Sequence, residues 1–483
     1  MSRLPLHVRA LLLFMAFRLV MGVGTVTGLN LVLPEIVDEF DTTLTVATWL
    51  QLAYFLALVG GTFALGQTTT LLDKRNLIVI ALLADTALMI FSFWTHNIYL
   101  FIGARFLSAL FRIYPWLILQ VMGIGGFPTE QRGKVLGAVG FMMGLGILLS
   151  VPVTGFVSAQ WGWRWLFMGS GVLFGALSVA AWFCIPPQPR SSDSPKVSFA
   201  QFDVPGSLLM MVAVIGSLTA LQALVRGFEP FAVISTGGTG LLALGAFIWV
   251  ERKTATPVVQ FSLFKLRGVY TGATQAGLMG WASGSTQLMI PILFVLGYGW
   301  SVAHAAAVLF FLNILQPVAG FLSGWLSDKY GSARIIAGAA VIGVTGQVIA
   351  ASMNASPPLQ LVVFGLVLMG MGQAFMQVAN QRQLFTSFPR HLLHLAPSTS
   401  LVLMTFGSTS GQALVAALLD TGQEPVEGVA DPGLVSAVRV ALVLVTVVFA
   451  LGMVGSAFLP RLLPKAGAER DLAMQPTTGD GDS

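Results

Sequence analysis

Long apolar runs separated by short polar breaks make up nearly the whole chain. Runs of the length that crosses a bilayer as a helix, roughly 17 to 25 residues, begin near Ala10, Val46, Leu77, Ile98, Gly133, Trp165, Val204, Phe231, Val269, Val302, Ile335, Leu359, Ala396 and Leu434. This pattern predicts an all-α membrane protein with fourteen transmembrane helices. Two longer polar stretches interrupt it, the proline-rich segment Pro186 to Lys196 and a tail from Lys465 to Ser483, which reads as disordered. Cations gather in alternate breaks: Arg3 and Arg9, then Lys74, Arg75, Arg132, Lys134, Arg190, Lys196, Arg252, Lys253, Lys265, Arg267, Lys329, Arg334, Arg382, Arg390, Arg461 and Lys465. The intervening breaks hold only Arg164, Arg226 and Arg439, and collect acids such as Glu35, Asp38, Glu39, Asp41 and Asp420. That asymmetry predicts both termini in the cytoplasm.

Composition agrees and excludes other classes. Of 483 residues, 55% are hydrophobic and 9% charged, far below the roughly 25% charged residues of a soluble globule. The net charge of +5 is spread over short loops, so a nucleic-acid partner is not expected. One cysteine, Cys184, excludes an internal disulfide, and no Cys/His cluster has metal-ligand spacing, so neither a metal nor another cofactor is expected. No nucleophile, base and orienting group stand together, which argues against an enzyme.

The most informative break is Gly324-Trp325-Leu326-Ser327-Asp328-Lys329-Tyr330-Gly331-Ser332-Ala333-Arg334. Gly324 permits close helix approach and Gly331 a tight turn. Asp328 is placed to satisfy free N–H groups and the positive end of the next helix, with Arg334 as its counter-charge. A decayed copy starts at Gly66, with Thr70 where the Asp belongs and Asp73 where the second Gly belongs. The copies lie 258 residues apart, which matches eight helix-plus-loop units of about 32 residues better than six of about 43. Two extra helices therefore fall between the halves, from about Asp203 to Glu251.

This loop resembles the gating-loop signature of the major facilitator superfamily, and the fourteen-helix layout resembles its drug:proton antiporter branch. Agreement extends to Asn30-Leu31-Val32-Leu33-Pro34, to Trp49 with Tyr54 and Leu56, to Ala104-Arg105 opening the fourth-helix arginine motif, to Glu130-Gln131-Arg132-Gly133-Lys134, and to Phe406 through Gly411. The resemblance implies a major facilitator fold: a six-helix bundle over 1–190, a linker with two inserted helices over 191–266, a second six-helix bundle over 267–462, and a cytoplasmic tail over 463–483. Two departures stand out. The first-helix Asp of the branch falls on Thr25, and the fifth-helix motif keeps only Pro152 and Gly155.

Ionisable residues deep in spans are functional candidates. Arg18, Arg105, Arg112 and Asp85 qualify, and Arg105 and Arg112 sit two turns apart on one helix face. By the helical rise, Arg18 and Arg112 lie at comparable depth on helices that line the central cavity in the superfamily. A positive cavity suited to an anionic or zwitterionic amphipathic molecule follows, with pairing of a guanidinium by Asp85 as the structural alternative. Asn30, Gln51, Tyr54, Trp116 and Gln120 of the first half, and Gln287, Asn313, Gln316, Gln373 and Gln377 of the second, complete the candidate substrate surface. Met142 and Met143 read as packing residues.

These features point to a secondary transporter of the inner (plasma) membrane that exports small amphipathic organic molecules by alternating access. Its partners are the lipid bilayer, the small-molecule cargo and, as the resemblance allows, protons; a periplasmic adaptor is left open. An importer or exchanger of an organic anion is the alternative reading, and a non-transporting membrane sensor or assembly partner the alternative of another class.

Overall fold

A computed structural model describes residues 29, 32–42, 44–68, 73–125, 132–185, 204–225, 230–253, 261–300, 302–353, 357–388, 392–393, 395–419 and 432–458. The first expected span, the linker 186–203 and the tail lie outside the described residues. A short helix, α1 (Leu33–Glu39), is followed by α2 (Leu44–Thr68), α3 (Lys74–Trp94), α4 (Ile98–Gly125), α5 (Arg132–Trp161), α6 (Arg164–Cys184), α7 (Val204–Val225) and α8 (Pro230–Lys253). The second half comprises α9 (Arg267–Ile292), α10 (Val302–Asn313), α11 (Gln316–Tyr330), α12 (Ser332–Ser352), α13 (Leu359–Ser387), α14 (Leu395–Leu419) and α15 (Pro432–Phe458).

Each described span starts within a few residues of its expected position. In hydrocarbon the backbone must satisfy its own polar groups, and an unbroken apolar run can do so only as a helix. The tenth span departs from a single helix, because it is interrupted at Ile314 and Leu315, between α10 and α11. Proline at 317 removes the N–H that the Asn313 carbonyl would need. A local bond instead ties the two segments, Gln316 Nε2 donating to Asn313 Oδ1 at 2.8 Å.

The helices form two packed cores. One is built from α1 to α6 around Phe101, Phe174, Trp163 and Met89. The other is built from α9, α10 and α12 to α15 around Phe294, Met289, Leu442 and Val445. Met142 and Met143 pack against the first core, as expected. Two seams join the halves: α5 lies along α11 and α13, and α2 along α14. The pair α7 and α8 forms a close hairpin in which a Cβ at Gly216 would strike the Gly240 backbone. Since α7 contacts both α2 and α14, the hairpin flanks the second seam.

At the end of the molecule where α5 begins, a third apolar cluster bridges the halves, with Val135 and Leu136 of α5 against Val378, Leu384 and Phe385 of α13 and Val269 of α9. At the opposite end, acids expected in the loops are tied down. Glu39 accepts from Arg164 Nε at 2.7 Å and from Trp163 Nε1 at 2.6 Å, and Glu35 accepts from the Ser158 hydroxyl at 2.7 Å.

Candidate functional site: a glycine seam and its carboxylate latch

Asp328 sits in the last turn of α11, and its carboxylate reaches across the seam to the other half. Oδ1 accepts the Gly133 backbone N–H and Oδ2 that of Lys134, each at 2.9 Å. These are free donors of the first turn of α5, where the helix dipole also favours an anion. Arg382 of α13 supplies the counter-charge, its Nε lying 2.9 Å from Oδ1, and its Nη1 also donates to Ser332 Oγ at 3.2 Å.

Two expectations are corrected here. The helix start that Asp328 caps belongs to α5 of the other half, and its cation is Arg382; Arg334 is exposed. The reason is directional. A helical side chain leans toward the start of its own helix, so Asp328 leans away from α12. Gly331, at φ 85°, then turns the chain so that Arg334 emerges toward solvent.

Along the seam the two backbones touch. A Cβ at Gly133 would meet the Asp328 carboxylate and the Gly324 carbonyl, one at Gly324 would meet the Gly133 carbonyl and the Gly137 backbone, and one at Gly144 would strike Pro317 and Gln316. Gly137 and Gly140 complete the stripe against Phe321 and Gly320. Such contact brings backbone close to backbone along the stripe, while beside it Val135 and Leu136 of α5 pack their side chains against Val378 of α13. Gly137, Gly140, Gly144, Gly320 and Arg382 were not among the expected site residues. The signal was present as glycines spaced four, three and four along α5, one helix face, opposite glycines four apart on α11.

The face carrying Arg105 and Arg112 turns into the first bundle rather than toward the seam. Arg112 Nε pairs with Asp85 Oδ2 at 2.8 Å, with both side chains nearly fully buried. Ser108 donates to Asp85 Oδ1, and the Arg112 guanidinium lies 4.7 Å from the Phe174 ring centroid. Arg112 is therefore neutralised, and the expected positive surface loses it. Arg105 differs: fully buried, its three guanidinium nitrogens have no hydrogen-bond partner among the described residues. It stacks over Tyr54 at 4.8 Å and approaches Phe167 at 5.8 Å.

Of the other expected site residues, Arg18 and Asn30 lie outside the described residues, as does the side chain of Gln120. Gln51 Oε1 and Trp116 Nε1 are buried without a partner among the described residues. Pro152 is exposed on α5 and Gly155 half-buried. In the second half, Gln373 donates to Ser283 Oγ at 2.6 Å and Gln287 to the same oxygen at 3.4 Å. Asn313 and Gln316 mark the break between α10 and α11, with the Gln316 backbone against Gly144, and Gln377 is half-buried on α13. The structure thus brings Gln287 and Gln373 together and keeps them apart from the arginines, which belong to the other bundle.

Two glycine-lined helices latched by a carboxylate between two helical bundles are matched at the level of sequence. The description of the Major Facilitator Superfamily fits residues 11–416. The chain belongs to that superfamily. It is accordingly a multi-pass membrane transporter, and not an enzyme. Similar proteins include the riboflavin transporter RibZ of Clostridioides difficile (strain 630), 22% identical over 365 residues, covering 75% of this chain and 77% of the relative. Multidrug resistance protein 3 of Bacillus subtilis (strain 168) is 22% identical over 384 residues, covering 75% and 70%. In fold the chain is similar to the crystal structure of the human organic anion transporter MFSD10, with a TM-score of 0.61 at 11% identity, covering 94% of this chain and 100% of that one.

Proposed function

We propose that this superfamily member is a plasma-membrane secondary transporter that exports small amphipathic organic molecules by alternating access, with anionic or zwitterionic cargo preferred. The observation that carries the reading is Asp328 holding the start of α5 across a seam of bare glycine backbone. A polar latch over a seam of close backbone contact suits an end of the molecule that closes and releases, as two bundles rocking about a central site require. By the distribution of cations, this latched end faces the cytoplasm. Export is favoured because relatives include Multidrug resistance protein 3 and the multidrug transporter MdtP of Bacillus subtilis (strain 168).

The sign of the cargo rests on Arg105. Among the described residues the carboxylate deep in a span is that of Asp85, already spent on Arg112, so a cationic molecule finds no acid there. Among the described residues Arg105 has no hydrogen-bond or ion-pair partner and lies beside the Tyr54 ring, and an anion that reaches it gains charge-assisted hydrogen bonds in a low-dielectric setting. The test is flux in proteoliposomes of a fluorescent organic anion and a matched cation, with and without an imposed pH gradient. The anion is expected to move, and Arg105→Gln to slow it at least about tenfold, the loss of one charged hydrogen bond or more, while the protein still inserts and folds. Equal flux of anion and cation, or an unchanged rate in Arg105→Gln, would overturn the cargo assignment. A rate indifferent to the pH gradient but stimulated by cargo on the far side identifies an exchanger.

A further inference from the structure

At the end of the molecule that carries the latch, α3 begins and α6 finishes, and a cation of the one is fixed on an aromatic ring of the other. The Arg75 guanidinium carbon lies 4.1 Å from the centroid of the Trp182 ring. Its Nε is buried with no acceptor among the described residues, whereas the two Nη nitrogens are not closed off in this way. The ring thus holds one side of the charged fork and leaves the other open. Lys74 stands beside it, and among the described residues neither cation forms an ion pair.

The described arginines at the opposite end are spent within the protein. Arg164 pairs with Glu39 at 2.7 Å and donates to the Phe93 and Thr95 carbonyls, and Arg439 donates to the Ala351 carbonyl at 2.9 Å. Pairing of a cation with a ring recurs instead where α8 and α11 finish. There Lys253 Nζ lies 3.9 Å from the Trp249 centroid and Lys329 Nζ 5.7 Å from that of Trp325, again with no carboxylate partner among the described residues. Arg75 is the strongest of these cases, because its guanidinium can bind an oxyanion through two parallel N–H groups.

The surroundings decide which anion fits. Trp182 is 47% exposed and the adjoining Phe183 79%, and both belong to the last turn of an apolar span. In a bilayer this flank meets acyl chains, and a tryptophan at the end of a span stands at headgroup level. A soluble anion would gain from the cations alone. A phospholipid gains from both, its phosphate accepting from Arg75 and its chains covering Phe183. A zwitterionic headgroup brings an ammonium back toward Lys74 and Arg75, so one with a net negative charge is preferred.

We propose that Lys74, Arg75 and Trp182 form a binding site for the headgroup of an anionic phospholipid in the leaflet at the latched end, with the phosphate on the Arg75 guanidinium and the chains along Phe183. Both helices pack within the first bundle, against α4 and α5, and the site lies several turns along α6 from the Phe167 that approaches Arg105. It is therefore independent of the cargo reading above.

Its test is tryptophan fluorescence of the purified full chain in a non-ionic detergent, titrated with phosphatidylglycerol or phosphatidylcholine brominated on the acyl chains. Bromine quenches rings at short range, and the signal of Trp182 is the difference between the wild type and Trp182→Phe. Half-quenching of that signal should need at least about tenfold less phosphatidylglycerol than phosphatidylcholine, since each basic residue near an anionic headgroup strengthens binding about fivefold. Arg75→Gln and Lys74→Gln should each shift the phosphatidylglycerol curve about fivefold toward the phosphatidylcholine curve, which itself stays in place. Should one variant fold poorly, the other carries the test. Inorganic phosphate at constant ionic strength should not displace the lipid. Equal curves for the two lipids, a phosphatidylglycerol curve unchanged in both variants, or full displacement by inorganic phosphate would each overturn the proposal. None of these outcomes bears on Arg105 or on the cargo.

Discussion

Replacing Asp328 by Asn keeps the size of the latch side chain and removes its charge, so the consequences can be worked from geometry. The carboxylate accepts two backbone N–H groups and one guanidinium N–H, all at 2.9 Å. Its side chain is 8% exposed and that of Arg382 14%, so water screens the pair only partly. A hydrogen bond to a charged group contributes about 1.5 to 3 kcal/mol. Asparagine retains an acceptor for one of the two N–H groups but presents an amine to the other, and leaves Arg382 without its anion. Allowing for partial exposure, the latched state should lose about 2.5 kcal/mol relative to the unlatched one, roughly a 60-fold change in their ratio. A molecule unlatched about 1% of the time would then be unlatched about 40% of the time.

Spin labels on cysteines placed at the exposed positions Lys134 and Arg334, in a background lacking the single native Cys184, would report this shift as a second, longer distance population. An unchanged distance distribution in Asp328→Asn would refute the reasoning that this carboxylate holds the halves together.

Other expectations follow from the same geometry. Gly324→Ala should cost about 1 to 3 kcal/mol of latched-state stability and slow transport, because its Cβ meets the Gly133 and Gly137 backbone. By contrast Gly103→Ala, with nothing within 4 Å, should be neutral or stabilise by up to about 1 kcal/mol; thermal unfolding of the two variants side by side decides it. Removing one partner of the buried Asp85–Arg112 pair, as in Arg112→Gln, should destabilise by about 3 to 5 kcal/mol. The double variant Asp85→Asn with Arg112→Gln should recover much of that loss in the same assay, and strict additivity would contradict the pairing. Glu39→Gln, which breaks the partly exposed bond to Arg164, should change stability by less than about 1 kcal/mol.

Helix positions were legible because hydrophobic length and backbone self-satisfaction are properties of consecutive residues. The cation distribution and the spacing between Gly66 and Gly324 were legible for the same reason. The break at Asn313 was readable in part, since Pro317 announces a missing donor four residues on. Pairings across the fold were harder to read. Asp328 and Arg334 are neighbours along the chain, whereas Arg382 is 54 residues away and arrives beside Asp328 only because α13 packs on α11. Arg105 and Arg112 share a helix face, yet one is neutralised by Asp85 and the other is not, a difference set by which side chains of α3 and α6 face each turn of α4.

The sequence by itself determined that this chain crosses a membrane many times as helices and that its central loop resembles a transporter gate. Those features depend on local periodicity, composition and spacing along one strand of text. Tertiary structure decided which charge answers which, and that four glycines of α5 make the seam. Such outcomes depend on the relative rotation and approach of helices far apart in the chain, to within an ångström or so, and no one-dimensional pattern carries that information.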